Sequence, residues 1–171
     1  MTISKQERQK LIIAPATRDD VHTILQFIND LAEYEKLSHE VVATTTQLEE
    51  TLFGERPVAE VLIGSCNSEP VCFALFFHNY STFLGQPGIY LEDLFVKPQW
   101  RGNGFGKAML QHLAKLAVER KCGRLEWSVL DWNSPAIDFY ESLGAVAQKE
   151  WVTYRCTGEN LNRLARPQDG K

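Results

Sequence analysis

Sulfur is scarce in this chain of 171 residues: two methionines and four cysteines, none of them in a CxxC pair. Cys66, Cys72, Cys122 and Cys156 are scattered, and the four histidines stand at no ligand spacing with them, so the pattern of neither a zinc site nor a disulfide scaffold is present. A reduced, metal-free, cytoplasmic protein is the expectation. Long apolar runs are missing too, and nothing approaches the roughly 18 residues that a membrane-spanning helix needs. The opening MTISKQERQK is polar, without the apolar centre of a signal peptide. Basic blocks are absent: 18 Lys and Arg against 22 Asp and Glu leave a net charge of −4, which disfavours nucleic acid as a partner. No repeat, low-complexity segment or linker breaks the chain.

With 44% hydrophobic residues, the length suits one domain over 1–171 that buries about two thirds of its unfolded surface, with 1–10 and 158–171 as flexible ends. LIIA at Leu11 to Ala14 reads as a first strand. Val21, Ile24, Leu25, Ile28, Leu31 and Ala32 recur at helical steps, and TTTQLEETLFG has the order of a short capped helix. VAEVLIGSC and VCFALFFHNY flank NSEP, a hairpin with a four-residue loop. GIYLEDLFV is a nearly apolar strand, the stretch from Phe105 to Ala117 a helix ending near Gly123, and RLEWSVL a strand that should run parallel to GIYLEDLFV. Asn133 and Ser134 before Pro135 start a helix in which serine accepts the free amide protons, and Gly144 stops it. A last strand occupies Val146 to Cys156.

The chemistry concentrates in VKPQWRGNGFGKAM, Val96 to Met109. A strand that ends in glycines and opens a helix gathers unpaired amide protons at the positive end of the helix dipole, which makes an anion site. A nucleotide P-loop would need glycine where Arg101 stands and a hydroxyl where Ala108 stands; the dinucleotide fingerprint would need glycine at Lys107 or Met109. Both fail. Arg101, Gly104 and Gly106 instead fit [RQ]xxGx[GA], and LAEYEKL, YLEDLFVKPQWRGNGFG and VLDWNSPAIDFYESLGA follow in order.

On these segments the chain resembles the GCN5-related N-acetyltransferases (GNAT), and within them the spermidine/spermine and thialysine diamine acetyltransferases. The resemblance implies the GNAT fold, an α/β architecture whose mixed, mostly antiparallel sheet has two central parallel strands joined by a crossover helix, with helices on both faces. It implies acetyl-CoA as cosubstrate, no metal, a small cationic amine as acceptor, direct transfer in a ternary complex, and a homodimer. Coenzyme contacts then fall to Leu94, Phe95 and Val96, to Arg101, Gly102, Asn103, Gly104, Phe105, Gly106 and Lys107, and to Asn133, Ala136 and Tyr140. Amine contacts fall to Tyr34, Glu92, Asp93, Glu126, Trp127, Ser128, Glu150 and Trp151.

Two residues are the candidates for catalysis. Glu92 would relay the proton of the attacking ammonium and Tyr140 would act as general acid at the coenzyme sulfur. Alternatives stay open: Glu92 or Asp93 paired with Arg101 or Arg124, only one of the two facing the cleft unless the strand bulges, Tyr140 as core packing, and Asn133 as a helix cap. STFLGQ after Tyr80 replaces the acidic segment of the spermidine/spermine branch, so one contact to long polyamines is lost, and LAEYEKLS and VLDWN lean towards the thialysine branch. Acetylation of a protein amine, or coenzyme binding without catalysis, are the alternative functions.

Overall fold

The computed structural model describes residues 10–166, which fall into two compact units, one ending at Ser128 and the other starting at Val129. Residues 1–9 and 167–171, part of the ends expected to be flexible, lie outside the described residues. Among the described residues no helix is long and apolar enough to cross a membrane.

The first unit is a five-stranded sheet in sequence order, β1 (Ile12–Pro15), β2 (Glu60–Cys66), β3 (Glu69–Ser81), β4 (Gln86–Val96) and β5 (Leu125–Trp127). Neighbours are antiparallel except β4 and β5, which run parallel through the connecting helix α3 (Phe105–Glu119). Helices α1 (Val21–Tyr34) and α2 (Thr45–Phe53) precede β2. A reciprocal cap starts α2: Thr44 Oγ1 accepts from the Gln47 amide at 3.3 Å, and Gln47 Oε1 accepts from the Thr44 amide at 2.9 Å.

The β2–β3 connection differs from the four-residue loop expected at NSEP. Asn67 and Ser68 alone make the turn, with φ of 50° and 65°, while Glu69 and Pro70 already belong to β3. Two successive left-handed residues match the twist of the flanking strands, and asparagine tolerates that region better than most residues.

One sheet face packs Ile63, Phe73 and Phe95 against Val21, Ile24 and Phe27 of α1 and Leu48 and Leu52 of α2. Phe27 stacks on Phe73 at 5.0 Å between ring centroids, and Phe95 meets Phe27 edge-on at 6.4 Å. Helix α3 covers the other face with buried Met109 and Leu113. Gly64 permits that close approach, since a methyl group there would lie 2.4 Å from Cys72 Sγ and 3.4 Å from Met109 Cε.

The second unit holds α4 (Ser134–Ser142) and α5 (Gly158–Ala165), the latter within the segment expected to fray. Asn133 is the N-cap of α4 and Ser134 its first residue, so the capping oxygen belongs to Asn133 rather than to Ser134. Gly144, at φ 87°, ends the helix as expected. The strand expected over Val146 to Cys156 does not form, and Trp151, Val152 and Tyr154 are exposed. β-Branched and aromatic residues make a segment fit for a strand, but only a hydrogen-bonded ladder makes it one. Among the described residues no strand follows β5, and the parallel pair stands at one end of the sheet.

Candidate active site

Strands β4 and β5 part company early. Their pairing covers only Ile89 to Leu91 against Leu125 to Trp127, yet β4 runs on to Val96. On its other edge β4 stays bonded to β3, with Leu94, Phe95 and Val96 opposite Ala74, Phe73 and Cys72. Among the described residues no strand pairs with the β5-side edge of Glu92 to Val96, which leaves main-chain groups there for an extended ligand, apart from the Val96 carbonyl, which accepts from Arg101 Nε at 3.0 Å.

A tight turn at Pro98–Trp100 leads from β4 into the glycine loop, where Gly102 and Gly104 take φ of 79° and 80°. Nothing lies within 4 Å of a methyl group placed on either, so what excludes a side chain is backbone conformation and not space. The Asn103 side-chain Nδ2 donates to the Trp100 carbonyl at 3.0 Å, and the Trp100 ring stacks on Phe105 at 6.1 Å. Among the described residues, the backbone amides of Gly102, Asn103, Gly104, Phe105, Gly106 and Lys107 have no acceptor; the first return bond is from Ala108 to the Gly104 carbonyl at 2.9 Å. Six donors at the positive end of a 15-residue helix make a strong anion cradle. An open strand edge that leads into this cradle fits the donor pattern of coenzyme A, an amide-bearing arm joined to a diphosphate. Arg101, expected among the coenzyme contacts, lies over the rings of Tyr34 and Phe95.

The acceptor side is acidic. The β3–β4 register slips so that Leu75 pairs with Asp93 and Phe76 with Leu91, which leaves Glu92 as the extra residue of a β-bulge. The bulge lifts the rule that only one of the two carboxylates can face the cleft. Glu92 is exposed, whereas Asp93 is largely buried and its carboxyl is pushed up from the usual 3.8 to about 6, first by burial and then by Glu92 and Glu35. Burial also raises Glu35, just past the end of α1. Among the described residues none of these three carboxylates forms an ion pair. Arg101 and Arg124, the partners considered from sequence, are engaged elsewhere.

Arg124 sits beside Glu126, its Nε 2.7 Å from Oε2 without the N–H being aimed along that line, and Asn79 donates to the same oxygen at 2.7 Å. The charge of Glu126, expected to meet the amine, is thus already matched. Gly88 lets both partners in, because a methyl group there would lie 2.3 Å from Asn79 Oδ1. Ser128 Oγ bonds the Tyr90 hydroxyl at 2.7 Å, and Trp127 is half-buried on β5.

In the second unit, buried Asn133 accepts from the Ala136 amide at 3.4 Å, which supports the cap reading of that residue. Half-buried Tyr140 stands next to Phe139 on α4, their rings 5.5 Å apart. Glu150 and Trp151 lie exposed in the segment that forms no strand.

The sequence profile of the Acetyltransferase (GNAT) family matches residues 24–145. The chain belongs to the GNAT acetyltransferase family. Among its relatives, the thialysine N-epsilon-acetyltransferase of Bos taurus is 38% identical over 91% of this chain and 97% of its own length. An L-ornithine N5-acetyltransferase of Arabidopsis thaliana is 34% identical, with 87% and 85% covered. Of solved structures, an integron cassette protein from the mobile metagenome of V. cholerae superposes with a TM-score of 0.77 at 27% identity, over 92% of this chain and 98% of that one.

Sequence reading of this GNAT protein missed Tyr90 and Asn79. Tyr90 reaches a partner 38 residues away and Asn79 one 47 residues away, separations that leave no local pattern. Glu35 was recognisable only as one acid among several, and its nearness to Asp93 follows from α1 packing on β4.

Proposed function

We propose that this chain is an acetyl-CoA-dependent N-acetyltransferase that acetylates the primary amine of a small cationic acceptor by direct transfer. The observation that carries this reading is the run of six acceptor-free amides from Gly102 to Lys107, placed after an open β4 edge that bears Glu92 and Asp93. Leu94, Phe95 and Val96 would hold the coenzyme arm and the loop its diphosphate; Asn133, Ala136 and Tyr140 are further coenzyme contacts by the resemblance alone. When bound, acetyl-CoA supplies the acetyl group as a thioester.

A primary amine of pKa about 10.4 is only about one part in a thousand neutral at pH 7, a handicap of roughly 4 to 5 kcal/mol. Asp93, charged once the pH is above about 6, anchors the ammonium, and Glu92 on the exposed crest of the bulge passes its proton to solvent. Tyr140 gives the departing thiolate a proton. The acidic group formed with Glu35 selects cationic acceptors, in line with relatives named for thialysine and L-ornithine. The cytoplasm is the setting expected from the scattered cysteines, and a homodimer is the assembly carried over from the resemblance.

The test is release of free thiol from acetyl-CoA offered thialysine, L-ornithine, a short diamine, spermidine and a peptide amine. Thiol release is expected with the short amines, and less with spermidine because STFLGQ lacks acidic side chains. Coenzyme binding with no thiol release from any amine would leave a binding module instead. The Gly104→Ala variant should bind coenzyme A about tenfold more weakly by calorimetry, because a left-handed backbone disfavours alanine by roughly 1 to 2 kcal/mol.

A further inference from the structure

Arg101 joins three parts of the first unit through one side chain. Its Nε donates to the Val96 carbonyl at the end of β4 at 3.0 Å. Its guanidinium carbon lies 4.5 Å from the ring centroid of Tyr34, the last residue of α1, and 5.5 Å from that of buried Phe95. The next residue is Gly102, the first of the two loop glycines at positive φ. One face of Tyr34 is therefore covered by Arg101.

We infer that Tyr34 and Arg101 form a clasp that holds the glycine loop in the conformation presenting its six amides, so that Tyr34 is a positioning residue for coenzyme binding. The inference rests on the proposed coenzyme site. A loop with two glycines and open space around them has much backbone freedom to lose on binding. Fixing its first residue against α1 and β4 removes part of that loss before the ligand arrives. The planar guanidinium suits the place, since it stacks on rings while its edge still donates to a carbonyl, which an ammonium does less well.

Calorimetry with coenzyme A and no amine present separates this role from an amine contact. Tyr34→Ala should weaken coenzyme binding about fivefold, or roughly 1 kcal/mol. Tyr34→Leu, which keeps apolar bulk without a ring face, should do the same, and Tyr34→Phe should stay within about twofold of the native chain. In an Arg101→Gln background, Tyr34→Ala should add no further loss, because the clasp is already open. Native-like affinity in both Tyr34→Ala and Tyr34→Leu overturns the clasp, and so does an equal loss in the two backgrounds. Failure of the unaltered chain to bind coenzyme A would remove the proposed function and the clasp together, whereas the other two failures strike the clasp alone.

Discussion

Replacing Asp93 with asparagine is expected to lower kcat/KM for a short diamine about 100-fold at pH 7.5 while making the folded protein more stable at that pH. Both effects come from one cause. The buried carboxyl keeps its proton up to about pH 6, whereas the unfolded chain releases it near the usual 3.8. Between those values the folded state binds more protons, so this group's contribution to stability falls as pH rises. Above about pH 6 the fold carries the full penalty of a charge buried near Glu92 and Glu35, at most about 3 kcal/mol. Asparagine removes the charge with little change in volume. Denaturant titrations of the two proteins should therefore agree near pH 4, diverge as the pH rises to about 6, and keep a constant gap above it. Activity should move the opposite way: the native kcat/KM falls on acidification through about pH 6, beyond the slope set by the amine, and the variant lacks that limb. A variant with native kcat/KM, or with no gain in stability at pH 8, would remove Asp93 as the ammonium anchor.

How legible this arrangement was from sequence depends on how local each part is. The glycine loop was readable because everything that shapes it lies between Val96 and Lys107: the strand end, two glycines with positive φ and the start of α3. The same holds for the stop of α4 at Gly144. The acidic group was half legible. Glu92 and Asp93 stand out in an apolar strand, but period-two alternation forbids both from facing one cleft, and only the slip of register against Leu75 and Phe76 lifts that limit. Glu126 shows the reverse case. As a carboxylate on β5 it reads as an amine contact, and the partners that match its charge, Arg124 and Asn79, come from its own strand entrance and from a strand 47 residues earlier. Val146 to Cys156 contains the strand formers Trp151, Val152, Thr153 and Tyr154, but pairing is a property of the partner edge as much as of the segment.

Tyr140→Phe is the second variant with a large expected effect: turnover should drop at least tenfold, and up to about 100-fold, while coenzyme A binding stays within about twofold. The substitution takes away one hydroxyl. The ring remains beside Phe139, and the Asn133 cap that starts α4 is untouched, so a change in fold is not expected to contribute. The size of the effect follows from proton affinities. A phenol of pKa about 10 protonates a thiolate of pKa about 8.5 at a cost of roughly 2 kcal/mol, which a positioned donor can meet within the transition state. Once the hydroxyl is gone, water must supply that proton from a much weaker acid. Steady-state rates at saturating acetyl-CoA and amine isolate this step from binding, and the high-pH limb of the native profile should be displaced or absent in the variant. Unchanged turnover would mean that the thiolate leaves without help from this side chain, and the assignment of Tyr140 as the acid would fall even if the coenzyme site stands.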